Sequence, residues 1–165
     1  MRRCVFLDRD GVINFKPAQG EYIRTWREFR LIPSVVDWIR LFNALDLLVI
    51  VVTNQRGVAL GQVDPEELTR IHDNMNQELL RLGARIDDIF SCVHEEGACN
   101  CRKPRPGMVI EAARKWNIDL TQSMLIGDSP RDEELALACD MAFVAVHEGA
   151  VIGRIPAEAY YDHAK

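Results

Sequence analysis

The chain has 165 residues, 48% hydrophobic and 27% charged, with a formal net charge of −5 and a pI near 5.4. This length suits one domain, residues 1–165, around a single core, and the acidic balance argues against nucleic-acid binding, which needs a basic face. No apolar run approaches the roughly 20 residues that cross a bilayer, and Met-Arg-Arg leads directly into a strand-like run, so a cytoplasmic monomer without nucleic-acid or membrane partners is expected.

In chain order, residues 4–7 (CVFL) read as a first strand. Pro33 opens a helix whose Val35, Val36, Ile39, Phe42 and Leu45 fall at helical spacing. Residues 47–52 (LLVIVV) are apolar on both faces, as in a buried parallel strand. Asp64 caps a helix with Pro65, Glu66 and Glu67 in its first turn and Leu68, Ile71, Met75 and Leu79 as its stripe; Gly83 ends it. A shorter strand near residues 88–93 runs into a cysteine cluster. Pro106 and Gly107 then precede a helix carrying Val109, Ala113 and Trp116. Residues 123–127 (SMLIG) read as a strand, 132–139 as a helix and 142–146 (AFVAV) as a strand.

The alternation predicts an α/β fold: a Rossmann-like three-layer sandwich, its parallel sheet covered by helices on both faces. Ligands of such folds sit beyond the carboxyl ends of the strands. The polar residues obey that rule, since Asp8 and Asp10 follow the first strand, Thr53 and Asn54 the second, and Asp128 the fourth.

Asp8, Asp10 and Asp128, with Asp132 close by, crowd negative charge at one edge. A hard dication such as Mg²⁺ relieves that repulsion and takes carboxylates, waters and a substrate phosphate as ligands. Thr53 and Lys103 can hold phosphoryl oxygens, one by hydrogen bond and one by charge. The set suits phosphoryl transfer, in which one aspartate attacks phosphorus and another moves protons.

The cysteines suggest a second metal. Cys92, His94, Cys99 and Cys101 in "CVHEEGACNC" make a complete tetrahedral Zn²⁺ set with no open position, so this zinc is expected to be structural. It would staple a loop with little core of its own and fix Arg102 and Lys103. Cys4 and Cys139 read as core thiols, and His72 as a half-buried or solvated helix residue. Trp26, Trp38 and Trp116 read as packing residues, and the tail "IPAEAYYDHAK" as an edge strand or a contact surface.

"FLDRDGVIN", "VVTNQ", "CRKPRPGM" and "IGDSPRD" resemble the four ordered motifs of the haloacid dehalogenase superfamily of phosphatases, over roughly residues 4–147. That resemblance implies Asp8 as nucleophile, Asp10 as general acid/base, and Thr53 and Lys103 as phosphate ligands. It places Mg²⁺ on Asp8, the backbone carbonyl of Asp10, and Asp128, and it gives Asp132 a supporting role. The zinc loop followed by C-R-K-P is similar to two branches of the superfamily, one acting on heptose 1,7-bisphosphate and the other on histidinol phosphate. "RDGVIN", "VVTNQRGVALG" and "RKPRPGM" are closer to the first, which implies removal of the 7-phosphate from a small phosphorylated sugar, with Arg102 and Asn54 contacting substrate.

The short segment between His94 and Cys99, and Ser129 where a lysine is common, bear on the choice of sugar rather than on the phosphatase chemistry. No insertion large enough for a cap domain follows the first or second motif. An open site is therefore expected, with specificity set by loops near Tyr22, Arg56 and Arg102. The contrasting reading, a zinc-stabilised binding module with incidental aspartates, requires a basic or apolar patch and no phosphate release.

Overall fold

The computed structural model describes residues 1–152. Strands β1 (Cys4–Leu7), β2 (Leu48–Asn54), β3 (Asp88–Cys92), β4 (Met124–Gly127) and β5 (Ala142–His147) pair in parallel in the order β3-β2-β1-β4-β5. A two-residue strand, β6 (Ala150–Val151), returns antiparallel to β5. The expected parallel α/β sheet is therefore present.

Alternation along the central strands decides how the helices are distributed. Val5, Leu7, Val49 and Val51 point to one face, where they meet α1 (Pro33–Ala44) through Val35, Ile39 and Phe42 and α2 (Pro65–Arg81) through Ile71, Met75 and Leu79. Cys4, Phe6, Leu48, Ile50 and Val52 point to the other. They meet α3 (Gly107–Trp116) through Met108, Val109 and Ala112, and α4 (Pro130–Ala138) through Leu135 and Ala136. With apolar residues on both faces, β1 is buried throughout and β2 through Thr53.

Local signals explain most boundaries. Asp64 caps α2 by accepting from the Glu66 and Glu67 backbone N–H groups, and Gly83 follows the helix at φ +79°. Thr53 and Asn54 are the last two residues of β2 rather than a loop after it. In α1 the stripe stops at Phe42: Leu45 lies past the last helical residue and is exposed. In α4 the helix starts two residues before the expected 132, at Pro130. A proline in the first turn gives up no hydrogen bond there, and Ser129 occupies the cap. The β5–β6 hairpin turns through Glu148 and Gly149, both at positive φ, a Glu-Gly turn that the sequence reading passed over. The tail reading for residues 155–165 lies outside the described residues.

The chain runs outward from β1 to β2 and β3, then returns to place β4 on the other side of β1. The β1/β4 boundary is thus the topological switch point, and parallel pairing of Leu7 with Ile126 brings Asp8 and Asp128 to its mouth.

Candidate active site

A cleft of about 540 Å³ opens over that switch point. Asp8, Asp10, Lys16, Asn54, Arg102 and Lys103 line it, together with the start of α4 from Ser129 to Arg131 and Glu134. Five of the residues singled out in the sequence thus share one cavity, drawn from three separate chain segments. Thr53 lies beneath this lining, buried, its Oγ1 accepting from Gln55 Nε2 at 2.8 Å.

Lys103 is the charge at the centre of the cleft floor. Its Nζ sits 2.8 Å from Asp8 Oδ1 and 2.7 Å from Asp132 Oδ1. Burial alone would lower the Lys103 pKa, but the two carboxylates outweigh it and hold it above its ordinary value. Asn54 fixes the lysine's backbone from both sides, donating to its carbonyl at 3.1 Å and accepting from its N–H at 3.0 Å. Asp132 is fully committed: its second oxygen accepts from the Ser129 hydroxyl at 2.5 Å and the Ser129 N–H at 3.2 Å. This matches the supporting role expected for it, and it explains Gly127, where a Cβ would stand 2.3 Å from that of Asp132.

The two aspartates of the first motif occupy different environments. Asp8 is buried, and burial pushes its carboxyl up to about 7; Lys103 opposes the rise, while Asp132 and Asp10 add to it. Burial acts on Asp10 in the same sense. Arg9 beside it, with hydrogen bonds from Asn14, Arg9 and Gln55, outweighs burial and holds this carboxyl below the usual carboxylate range. Arg9 Nη2 reaches both Asp10 oxygens, at 2.9 and 3.2 Å. Asn14 Nδ2 donates to Oδ1 at 2.9 Å, and Gln55 Nε2 to Oδ2 at 2.9 Å.

These donor atoms suit a hard dication. Carboxylate oxygens of Asp8, Asp128 and Asp132 lie within 4.8 Å of one another. Asp128 Oδ1 is buried without a hydrogen-bond partner, and Oδ2 holds Lys16 Nζ at 2.7 Å. A buried carboxylate oxygen with no donor is costly unless a cation takes it. With Asp132 engaged by Lys103 and Ser129, Asp8 and Asp128 are the carboxylates left for such an ion. The Asp10 side chain turns instead into its cage of donors, so its part in the expected Mg²⁺ set rests on its carbonyl. Gly11 makes room: its φ is +92°, and a Cβ there would come within 2.2 Å of Asp128 Oδ2.

Beside the cleft, Cys92 Sγ stands 3.5 Å from Cys99 Sγ and 3.7 Å from His94 Nδ1, while Cys101 Sγ stands 3.3 Å from both Cys99 Sγ and His94 Nδ1. Tetrahedral Zn²⁺ with bonds near 2.3 Å needs sulfurs roughly 3.8 Å apart, so the four atoms fit one ion with small adjustment. Burial raises all three thiols. At Cys99, hydrogen bonding by Cys101, the Arg102 and Cys101 backbone and Cys92 overrides it and brings the group down to about 6. The loop ends directly at Arg102, whose Nε and Nη1 are buried without a protein acceptor at the cleft wall.

The sequence reading missed Arg9, Asn14, Lys16, Gln55 and Arg131. Arg9, Asn14 and Gln55 stood inside the quoted motif strings, but nothing in a string distinguishes a cage donor from a spacer. Lys16 reaches the cleft from the segment after β1, and Arg131, also inside a quoted string, from the first turn of α4. Trp26 stacks on Phe29 with centroids 4.8 Å apart, and Trp116 donates to Asp88 at 2.7 Å, in keeping with the packing roles expected for them.

The chain is similar to known phosphatases. The HAD-hydrolase-like family model matches residues 100–154. A D-glycero-beta-D-manno-heptose-1,7-bisphosphate 7-phosphatase from Rhodopseudomonas palustris is 42% identical over 83% of this chain and 79% of its own length. The corresponding alpha-anomer enzyme of Mycobacterium bovis is 38% identical over 81% and 70%. A crystal structure of the D,D-heptose 1,7-bisphosphate phosphatase of B. bronchiseptica, complexed with magnesium and phosphate, superposes with a TM-score of 0.82 at 35% identity, over 89% of this chain and 83% of that one.

Proposed function

The chain belongs to the haloacid dehalogenase-like phosphatases, and on that basis we propose that it removes the 7-phosphate of a D-glycero-D-manno-heptose 1,7-bisphosphate. The observation that carries this reading is Arg102 beside Lys103, its Nε and Nη1 buried without an acceptor, with Lys16, paired to Asp128, and Arg131, paired to Glu96, on the same cleft. One phosphoryl group needs Lys103; the further cations suit a substrate with a second anionic group. Histidinol phosphate, the rival substrate, would instead bring a cationic amine against them.

Mg²⁺ held by Asp8, the Asp10 carbonyl and Asp128 would neutralise phosphoryl charge and permit an anionic nucleophile to approach. Lys103 and Thr53 hold the phosphoryl oxygens. Asp8 attacks phosphorus and the bond to the sugar oxygen breaks, leaving phosphate covalently on Asp8. Asp10, which its cage holds ionised in the free protein, must take up a proton as the substrate binds and then pass it to the departing sugar oxygen. It then takes one from the water that attacks the aspartyl-phosphate, which frees inorganic phosphate and restores Asp8. Zn²⁺ on Cys92, His94, Cys99 and Cys101 would supply no chemistry; it would hold Arg102 and Lys103 in place.

The test is a comparison of kcat/KM for both anomers of heptose 1,7-bisphosphate and for histidinol phosphate, with Asp8→Asn as control. We expect a preference for a heptose bisphosphate of at least about 100-fold, of the order reached when a site's charged groups pair with one substrate and not the other, and no turnover by Asp8→Asn. Preference for histidinol phosphate overturns the substrate, and an active Asp8→Asn overturns the nucleophile.

A further inference from the structure

Arg9 is the largest fully buried side chain of the described residues, and it stands in sequence between Asp8 and Asp10 of the cleft lining. A buried guanidinium is tolerated only when its donors are met. Asp10 accepts from Nε at 3.3 Å and from Nη2 at 2.9 and 3.2 Å. The other arm, Nη1, reaches Nε2 of His72 at 3.1 Å. His72 belongs to α2, between Ile71 and Met75 of the core stripe, and is 63 residues from Arg9 in sequence.

Arginine has only donors, so His72 Nε2 must be the acceptor and the ring must be neutral with its proton on Nδ1. Burial first, and then the charge of Arg9, push His72 down to about 3, which agrees with a neutral ring.

We propose that His72 is a positioning residue for proton transfer: through Arg9 it sets the orientation of the Asp10 carboxylate. This rests on the reading of Asp10 as the group that protonates the leaving oxygen. Asn14 and Gln55 each hold Asp10 by one neutral hydrogen bond, whereas Arg9 grips both of its oxygens and carries charge. Apart from Asp10, His72 is the one hydrogen-bond partner of the Arg9 guanidinium among the described residues. Without His72, one arm of the guanidinium faces the α2 core stripe unmet. The guanidinium would then rotate toward other acceptors and tilt Asp10 with it. A misplacement of this kind damages the proton-transfer step and leaves phosphoryl binding by Lys103 and Thr53 alone.

The test exploits leaving-group chemistry. Departure of a sugar oxygen needs a proton, while p-nitrophenolate leaves without one, and kcat/KM reports the steps through bond cleavage to the leaving group. The readout is the ratio of kcat/KM for the preferred sugar phosphate to that for p-nitrophenyl phosphate. For His72→Leu the ratio should fall about tenfold, a fraction of the 10²–10⁴ that general acid catalysis supplies. His72→Gln, which retains an acceptor oxygen, should restore most of the ratio. Equal loss on both substrates, or no loss, overturns the role of His72 and marks it as a packing residue. Asp10→Asn separates the premise: if that variant leaves the ratio unchanged, it is the proton-donor reading that fails. If Asp10→Asn lowers the ratio and His72→Leu does not, only the inference about His72 fails.

Discussion

The two places where this chain gathers cation ligands are built in opposite ways. The cleft draws Asp8, Asp128 and Asp132 from segments some 120 residues apart and sets them just past β1, just past β4 and in the first turn of α4, over a floor of fully buried strand. The cysteine loop draws its ligands from residues 92–101 alone. Only Cys92 of the four is buried, and Glu95 to Ala98 are all exposed. In the first region the core supplies the geometry and a cation supplies charge. In the second there is almost no core, and a cation would have to supply the geometry itself.

The largest expected effect follows from that contrast. Cys92→Ser should release the loop and with it the register of Arg102 and Lys103. We expect kcat/KM to fall by at least about 100-fold, the scale of loss expected when positioning groups shift by an ångström, with no recovery on adding Mg²⁺. Withdrawal of Mg²⁺ from the intact protein should also stop turnover. That loss should reverse on re-addition, and Tm should move by only a few degrees. Circular dichroism and activity, followed through both treatments, check the pair. A loop variant with full activity, or a protein that melts when Mg²⁺ is withdrawn, would erase the distinction.

The same contrast explains how far the sequence could be read. The order of strands and helices was legible because β2 is apolar on both faces and α2 carries its own cap and stop signals. The Cys/His cluster was legible because its four residues lie within one short stretch. The cage around Asp10 was not, since Asn14, Gln55, Arg9 and His72 meet only after the sheet has been assembled, and each alone reads as an ordinary polar residue. Lys16 was missed for the same reason: its ion pair with Asp128 spans 112 residues.

Two glycines turn the contrast into an intermediate effect. Gly11 and Gly97 have similar dihedrals, φ +92° and +83°, but a Cβ on Gly11 would strike Asp128 whereas one on Gly97 meets nothing within 4 Å. Gly97→Ala should cost only backbone strain, on the order of 1–2 kcal/mol, and leave the Mg²⁺ dependence of activity unchanged. Gly11→Ala adds the displacement of Asp128 to a strain of about 1–3 kcal/mol. The Mg²⁺ concentration for half-maximal activity should rise about tenfold, which corresponds to some 1.4 kcal/mol of lost ligation. Equal behaviour of the two variants in a Mg²⁺ titration would show that the Asp128 contact is unimportant.

The smallest effect is the pH dependence that Asp8 adds to stability. Asp8 is raised from 3.8 to about 7, so the folded state binds its proton more tightly than the unfolded chain. That contribution is full below pH 4 and is lost as pH rises through 7. Asp10 is held below its ordinary value, so its own stabilising contribution disappears only as pH falls below 4, and Lys103 is held above its ordinary value; neither enters the same window, whereas His72, pushed down to about 3, and Cys99, at about 6, contribute stability that grows with pH inside it. Without added Mg²⁺, the Tm of the wild type measured relative to that of Asp8→Asn, which cancels the other two groups, should therefore decline between pH 5 and 8. Each unit of the shift is worth at most about 1.4 kcal/mol. With saturating Mg²⁺ the decline should flatten, because a dication favours the ionised carboxylate. A difference between the two proteins that stays level or rises over this range without Mg²⁺ would mean that Asp8 carries no buried charge to relieve, and the cleft would then lose its electrostatic reason for binding a cation.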